Sequence, residues 1–319
     1  MKRKIWKIYA FTKQIFVEFG NASGMKFSAA LSYYTVFALA PVIVVILSIC
    51  GILFGQESTQ VQEQLFSQIE QMVGTQAAGQ VQDLIKNVHH SGNGFFATIV
   101  SSSVLVVAAT GIFGEIQDSI NKIWGLRSKP KKAWWKLLLN RLISFSLILS
   151  VGFMLMISLL MNALVAVLSD YLQRHIPGSG LVFVNVMNQL LSFIITAIIF
   201  SMIFKILPDA KIAWKDVIKG AVLTTILFTL GKWGIGIYVG KSNLNNVYGA
   251  AASIIILMVW VYYSAIILYM GATFTKVYCR HYGGRIIPNQ YAVWITTKEV
   301  ETKKLVIKTD INEQTINKL

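Results

Sequence analysis

The sequence predicts an all-α integral membrane protein: a bundle of six transmembrane helices, both termini cytoplasmic, with amphipathic helices on the outer side between spans one and two. Three observations predict it. The first is composition, since the 319 residues are 55% hydrophobic and only 13% charged, with a mean hydropathy of +0.60. A soluble domain would be about a quarter charged. The second is clustering: the apolar residues fall into six blocks, each long enough to cross about 30 Å of hydrocarbon at about 1.5 Å per helical residue. The third is the spread of Lys and Arg, which alternates between dense and sparse connections as the positive-inside rule requires.

The elements follow in order. Residues 1–26 carry Lys2, Arg3, Lys4, Lys7, Lys13 and Lys26 and predict a cytosolic or interfacial helix. A basic stretch before an apolar one resembles a signal peptide, but the leader is long, the block spans a bilayer and no A-x-A-like site follows. The transmembrane domain is expected over 27–276, with spans near 28–54, 95–114, 137–168, 181–207, 217–239 and 248–276. The connection after span one holds Lys86 alone, and the next holds Lys122, Arg127, Lys129, Lys131, Lys132, Lys136 and Arg141. Then come Arg174 alone, the group Lys205, Lys211, Lys215 and Lys219, and Lys241 alone. Eight more basic residues lie at and beyond the end of span six, where a cytosolic polar tail is expected over 277–319.

The outer insert, 56–93, has apolar residues at Val61, Leu65, Ile69 and Val73, then at Val81, Leu84, Ile85 and Val88. This is helical spacing, broken around Gly74 and Gly79. Glu57, Glu63, Glu70 and Asp83 make it acidic, which predicts two short amphipathic helices on the outer face or over a cavity mouth. At the inner end of span two, IFGEIQDSINKIWG continues as helix. Glu115, Asp118 and Lys122 share one side, and Ile112, Ile116, Ile120 and Ile123 take the other. Pro130 ends it, and Trp134 and Trp135 are placed to anchor at the headgroups.

Charge and side-chain inventory narrow the function. The excess of 29 Lys+Arg over 14 Asp+Glu lies at the ends and in alternate loops, not in one stripe interleaved with aromatics. Membrane lipids are therefore the expected partner, and nucleic acid is not. Cys50 and Cys279 form no CxxC, and His89, His90, His175 and His281 form no HExxH, so no metal or cofactor is expected. Glu18, Glu115, Asp118, Asp209, Asp216 and His281 show no ligand spacing, which argues against a membrane-bound ribonuclease or other enzyme.

Inside the spans, Tyr33, Tyr34, Thr35 and Pro41 interrupt span one, Ser101, Ser102 and Ser103 mark span two, and Asn162 lies in span three. Each alone reads as helix-to-helix glue, and Pro41 frees a carbonyl one turn earlier. Lys232, in LFTLGKWGIGIYVG, differs, because a charge within a span costs about 3 kcal/mol unless it is hydrated or paired. Two readings stand for it: snorkelling toward the outer edge, or facing a polar cavity that attracts an anionic group. Gly231, Gly234 and Gly236 are expected to allow close helix approach or local unwinding there. Tyr33, Tyr34 and Tyr248 are its candidate neighbours, since a phenol accepts a hydrogen bond from an ammonium. The pathway candidates are then Lys232, Tyr33, Tyr34, Tyr248, Glu115, Asp118 and Asn162.

An ordered set of stretches carries a resemblance: FSAALSYYTVFALAP at 27–41, DSINKIWG at 118–125, LPDAKIAWKDVIKGA at 207–221, GIYVG at 236–240, YGAAAS at 248–253 and VWVYYSAIILYMGA at 259–272. Together they resemble the YihY/BrkB family of bacterial inner-membrane proteins from about residue 20 to 285. The resemblance implies a six-helix inner-membrane protein and suggests transport of a lipid or organic solute. Members of that family have been labelled ribonucleases and linked with virulence, serum resistance and envelope-lipid phenotypes. One departure is Thr273, where the family usually has an acidic residue. The expected function is a passive or gradient-coupled carrier or flippase for an anionic or amphiphilic, lipid-like solute. The alternative is a non-transporting scaffold for envelope assembly, and a homo-oligomer is compatible with either.

Overall fold

The computed structural model describes residues 2–38, 67, 79, 111–129, 179–241, 252–282, 285–290 and 292–295. Span three, most of the outer insert and the chain beyond 295 lie outside the described residues, as do Pro41, Asn162 and Tyr248.

Helix α1 covers Lys2–Asn21, and α2 covers residues 24–38. Ser23 joins them in the left-handed region, with φ 60°. Helix α3 covers residues 111–124 and leads into strand β1, Leu126–Ser128. Then come α4 (Ser179–Ile206), β2 (Ala210–Lys211), α5 (Trp214–Lys241), α6 (Ala252–Tyr282), β3 (Ile287–Pro288) and β4 (Ala292–Trp294). Among the described residues three helices are long and apolar enough to cross a membrane: Val186–Ile206, Trp214–Tyr238 and Ile254–Tyr282. They coincide with the expected spans four, five and six. The described residues are mostly helical, and the four strands among them make two short antiparallel pairs, a departure from the all-α expectation.

Helices α5 and α6 pack through glycines that alternate between them. A Cβ on Gly220 would collide with Thr275, one on Gly271 with Thr224, and one on Gly231 with the ring of Tyr263. The partners descend along one helix as they ascend along the other, so the two run antiparallel. Each threonine is held in place by its own helix: Thr224 Oγ1 donates to Gly220 O at 2.7 Å and Thr275 Oγ1 to Gly271 O at 2.9 Å. The same five-residue pattern, GAVLT at 220–224 and GATFT at 271–275, therefore appears on both helices. Within a bilayer, where lipid tails are as apolar as leucine, such close backbone approach drives helix association. The glycines near Lys232 were expected to permit close helix approach or local unwinding. Helix α5 is continuous through Gly231, Gly234 and Gly236, and Gly231 meets the ring of Tyr263 on α6 at close range.

The core gathers at one end of the bundle. Ile116, Ile120 and Ile123 are buried on the inner face of α3, against Phe204, Leu207, Leu268 and Ala272. Trp124 is 1% exposed, and its Nε1–H donates to Ala272 O at 3.0 Å. Gly125, at φ 77°, ends α3 in the left-handed region that favours glycine, and its carbonyl accepts from Ile295 N at 2.8 Å. Strand β1 then pairs with β4 in the register Leu126↔Trp294, and β2 pairs with β3 as Ala210↔Pro288. The tail is thus folded back onto two loops, and the last helix runs to Tyr282. Glu18 of α1 accepts from Lys276 Nζ at 2.5 Å and from Arg280 Nη1 at 2.7 Å, which holds the final turns against α1. Phe11 adds edge-to-face contacts with Phe274 and His281.

Burial alone would raise the Glu18 carboxyl, but Lys276 and Arg280 outweigh it and hold it below the ordinary carboxylate range. A lowered folded value means stability that is present above the unfolded value, about 4.3, and is lost as pH falls through the folded one. The docking of α1 is therefore expected to loosen below about pH 4, read as faster amide exchange in residues 2–21, and Glu18→Gln should remove this acid dependence.

Candidate functional site

Helix α5 presents three faces. Val217, Ala221, Thr224, Gly231 and Ile235 are buried against its neighbours, whereas Ile226, Leu230, Trp233 and Ile237 are exposed. Leu230 and Trp233 are 63% and 73% exposed, the mark of a lipid-facing side in a span this apolar. Lys232 belongs to neither face. At about 100° per residue it falls on the flank of the packed side, in line with Thr225, Thr229 and Gly236. It is half-buried, Thr229 and Gly236 are partly buried and Thr225 is fully buried. A cation thus interrupts a stripe of hydroxyl and small residues running along a span.

The tyrosines expected beside it sit on α2. Tyr33 and Tyr34 meet edge to face at 5.9 Å and are 54% and 44% exposed, and Tyr34 packs beside Gly111 of α3. Gly234, also grouped with Lys232 by sequence, borders open space.

A second polar group lies between α3 and α6. Ser119 Oγ donates to Glu115 Oε1 at 3.1 Å. The Tyr269 hydroxyl, fully buried and with no hydrogen bond completed, lies against Ser119 with the charge of Glu115 close by. Asp118 is exposed and plays no part in it. Lys122, on the same outer side, lies over the Phe27 ring at 5.1 Å. Thr273 is fully buried and donates within its own helix to Tyr269 O at 2.8 Å.

The third group is Asp209, which the sequence shows within LPDAK and among the acids without ligand spacing. Its carboxylate accepts from Gln117 Nε2 at 3.2 Å and from Asn121 Nδ2 at 3.0 Å. Its own N–H donates to Asn121 Oδ1 at 2.9 Å, and its carbonyl accepts from Asn289 N at 2.9 Å. DSINKIWG, LPDAK and the tail are therefore joined at one residue. The signal was available, since both motifs were singled out, but nothing in either says that they meet. Among the described residues no three of His, Cys, Asp and Glu are grouped to hold a metal ion.

Long apolar helices, close glycine-mediated packing and a knot of basic loops at one end define a helical integral membrane protein. The family model described as virulence factor BrkB matches residues 15–291, and the chain belongs to that family. It is similar to a UPF0761 membrane protein of Stenotrophomonas maltophilia, 25% identical over 78% of this chain and 56% of the relative. Another, from Pseudoalteromonas translucida, is 29% identical over 77% of this chain and 78% of the relative, and one from Kangiella koreensis is 28% identical over 84% and 64%. The chain spans little more than half the length of the first of these. No solved structure matches.

Proposed function

We propose that this chain is a multi-pass inner-membrane carrier or flippase, passive or gradient-coupled, for an anionic or amphiphilic, lipid-like solute. The observation that carries the reading is the position of Lys232, half-buried on a hydroxyl-and-glycine flank of α5 and away from its lipid-facing side. A cation there offers an anionic headgroup a partner within the thickness of the membrane. Six spans with both termini cytoplasmic complete the proposal. It is supported by the meeting of α1, the loops after α3 and α4, and the tail at one end, where most Lys and Arg of these segments lie. No catalysis is assigned. Glu18 and Asp209 are engaged in holding segments together, which supports reading them as structural.

The test is purified protein in liposomes, assayed for anion flux and lipid scrambling. Lys232→Met is expected to lower the active mode about tenfold, the loss of one charge-assisted contact of about 1.4 kcal/mol, while Lys232→Arg retains most of it. Full activity in the Met variant would sink the pathway. A folded protein with neither activity would favour the envelope-assembly scaffold.

A further inference from the structure

Helix α1 is amphipathic, and among the described residues only one side of it has a partner. Phe11, Ile15, Glu18 and Phe19 are turned to the bundle, and Ile15 and Phe19 are buried. The opposite side shows Trp6, Tyr9, Phe16 and Val17, which are 71%, 63%, 57% and 49% exposed. At helical spacing these four fall within about 100° of one another with exposed Lys13 in their midst. Trp6, Tyr9, Lys13, Gln14 and Val17 line a shallow groove of about 330 Å³ on this side. Four large apolar side chains in water around one cation are costly, so the face has an occupant.

We infer that this face of α1 is a docking site for the headgroup layer of an anionic bilayer, the membrane in which the same chain is embedded. Three observations select that occupant. The first is height: α1 is fastened to Lys276 and Arg280, in the last turns of the span Ile254–Tyr282, the level at which a span leaves the hydrocarbon. The second is company. Trp214, which begins the span Trp214–Tyr238, and Tyr282, which ends its antiparallel neighbour, are also exposed at this end, and Trp and Tyr concentrate where hydrocarbon meets water. The third is charge. Residues 1–26 hold six Lys and Arg against one acid, Glu18, and Glu18 is turned inward and occupied. Only positive charge is left to face outward, and anionic lipid complements it.

This inference does not depend on transport, so a negative flux assay leaves it standing. Its test uses the full chain in nanodiscs of phosphatidylcholine, with or without phosphatidylglycerol. A fluorophore of the nitrobenzoxadiazole type is placed by Tyr9→Cys after Cys50→Ser and Cys279→Ser. The expected result is blue-shifted emission, quenched more by a nitroxide near the lipid headgroup than by one deep in the acyl chain. Phosphatidylglycerol should increase that quenching, and Lys13→Glu should abolish the increase. The unmodified chain gives an independent reading: amide exchange in residues 2–21 should slow when phosphatidylglycerol is present and recover in about 0.5 M salt, where screening is nearly complete. Water-like emission in both discs, or quenching and exchange indifferent to phosphatidylglycerol, would overturn the proposal. So would a blue shift that appears only when the discs hold two copies of the chain, which would make a second copy the occupant.

Discussion

Asp209→Ala is expected to open the end of the molecule where α3, the loop after α4 and the tail meet, with a loss of about 3–5 kcal/mol. Gln117 and Asn121 are 8% and 2% exposed and spend their amide donors on this carboxylate. Alanine leaves both donors buried without an acceptor, and each unsatisfied group costs about 1–3 kcal/mol. The damage is not local. Alanine keeps the backbone carbonyl that accepts from Asn289 N, but a loop that shifts once its side-chain anchors are lost carries with it the pairing of Ala210 with Pro288. Thermal unfolding in detergent should show the loss, and buried Cys279 should become reactive to a thiol probe. Asp209→Asn keeps one acceptor oxygen and should cost about half as much. An alanine variant as stable as the parent would remove Asp209 as the organising residue of this end.

The second large effect is expected at the glycine contacts between α5 and α6. Gly271→Ala places a methyl group against the Thr224 hydroxyl and close to Phe204, and overpacking of this kind costs about 1–3 kcal/mol. Thr224→Ala removes the opposing hydroxyl, so the double variant should recover more than half of the loss. The mirror pair, Gly220→Ala with Thr275→Ala, should behave in the same way, because it is built from the same pattern on the other helix. Losses that simply add, within about 0.5 kcal/mol, would mean that the pairs do not touch in the membrane.

How much of this was legible in the sequence depends on the range of the interaction. Spans four to six were legible because hydropathy over twenty residues is a local property. The isoleucine face of α3 was legible for the same reason: a period of 3.6 needs only neighbours in the chain. The Lys/Arg alternation was legible, and the structure adds that several of those segments meet. Gly231 leaves two readings open in the sequence, close helix approach and local unwinding, because the partner helix is unknown there. In the fold the ring of Tyr263 lies where its side chain would be. Tyr33 and Tyr34 have the chemistry to meet an ammonium, but chemistry alone does not say in which direction α2 turns them.

By itself the sequence determined that this is a membrane protein, where its later spans lie, and which family it belongs to, because each rests on composition or on ordered local motifs. The tertiary structure alone decided that Asp209 joins Gln117 and Asn121, that the two GAxxT segments clasp one another, that Glu18 pins α1 to α6, and that Lys232 lies on the flank of α5. The physical reason is separation along the chain. Glu18 and Lys276 are 258 residues apart and Asn121 and Asp209 are 88 apart, and no local pattern encodes which distant partner a buried polar group will find.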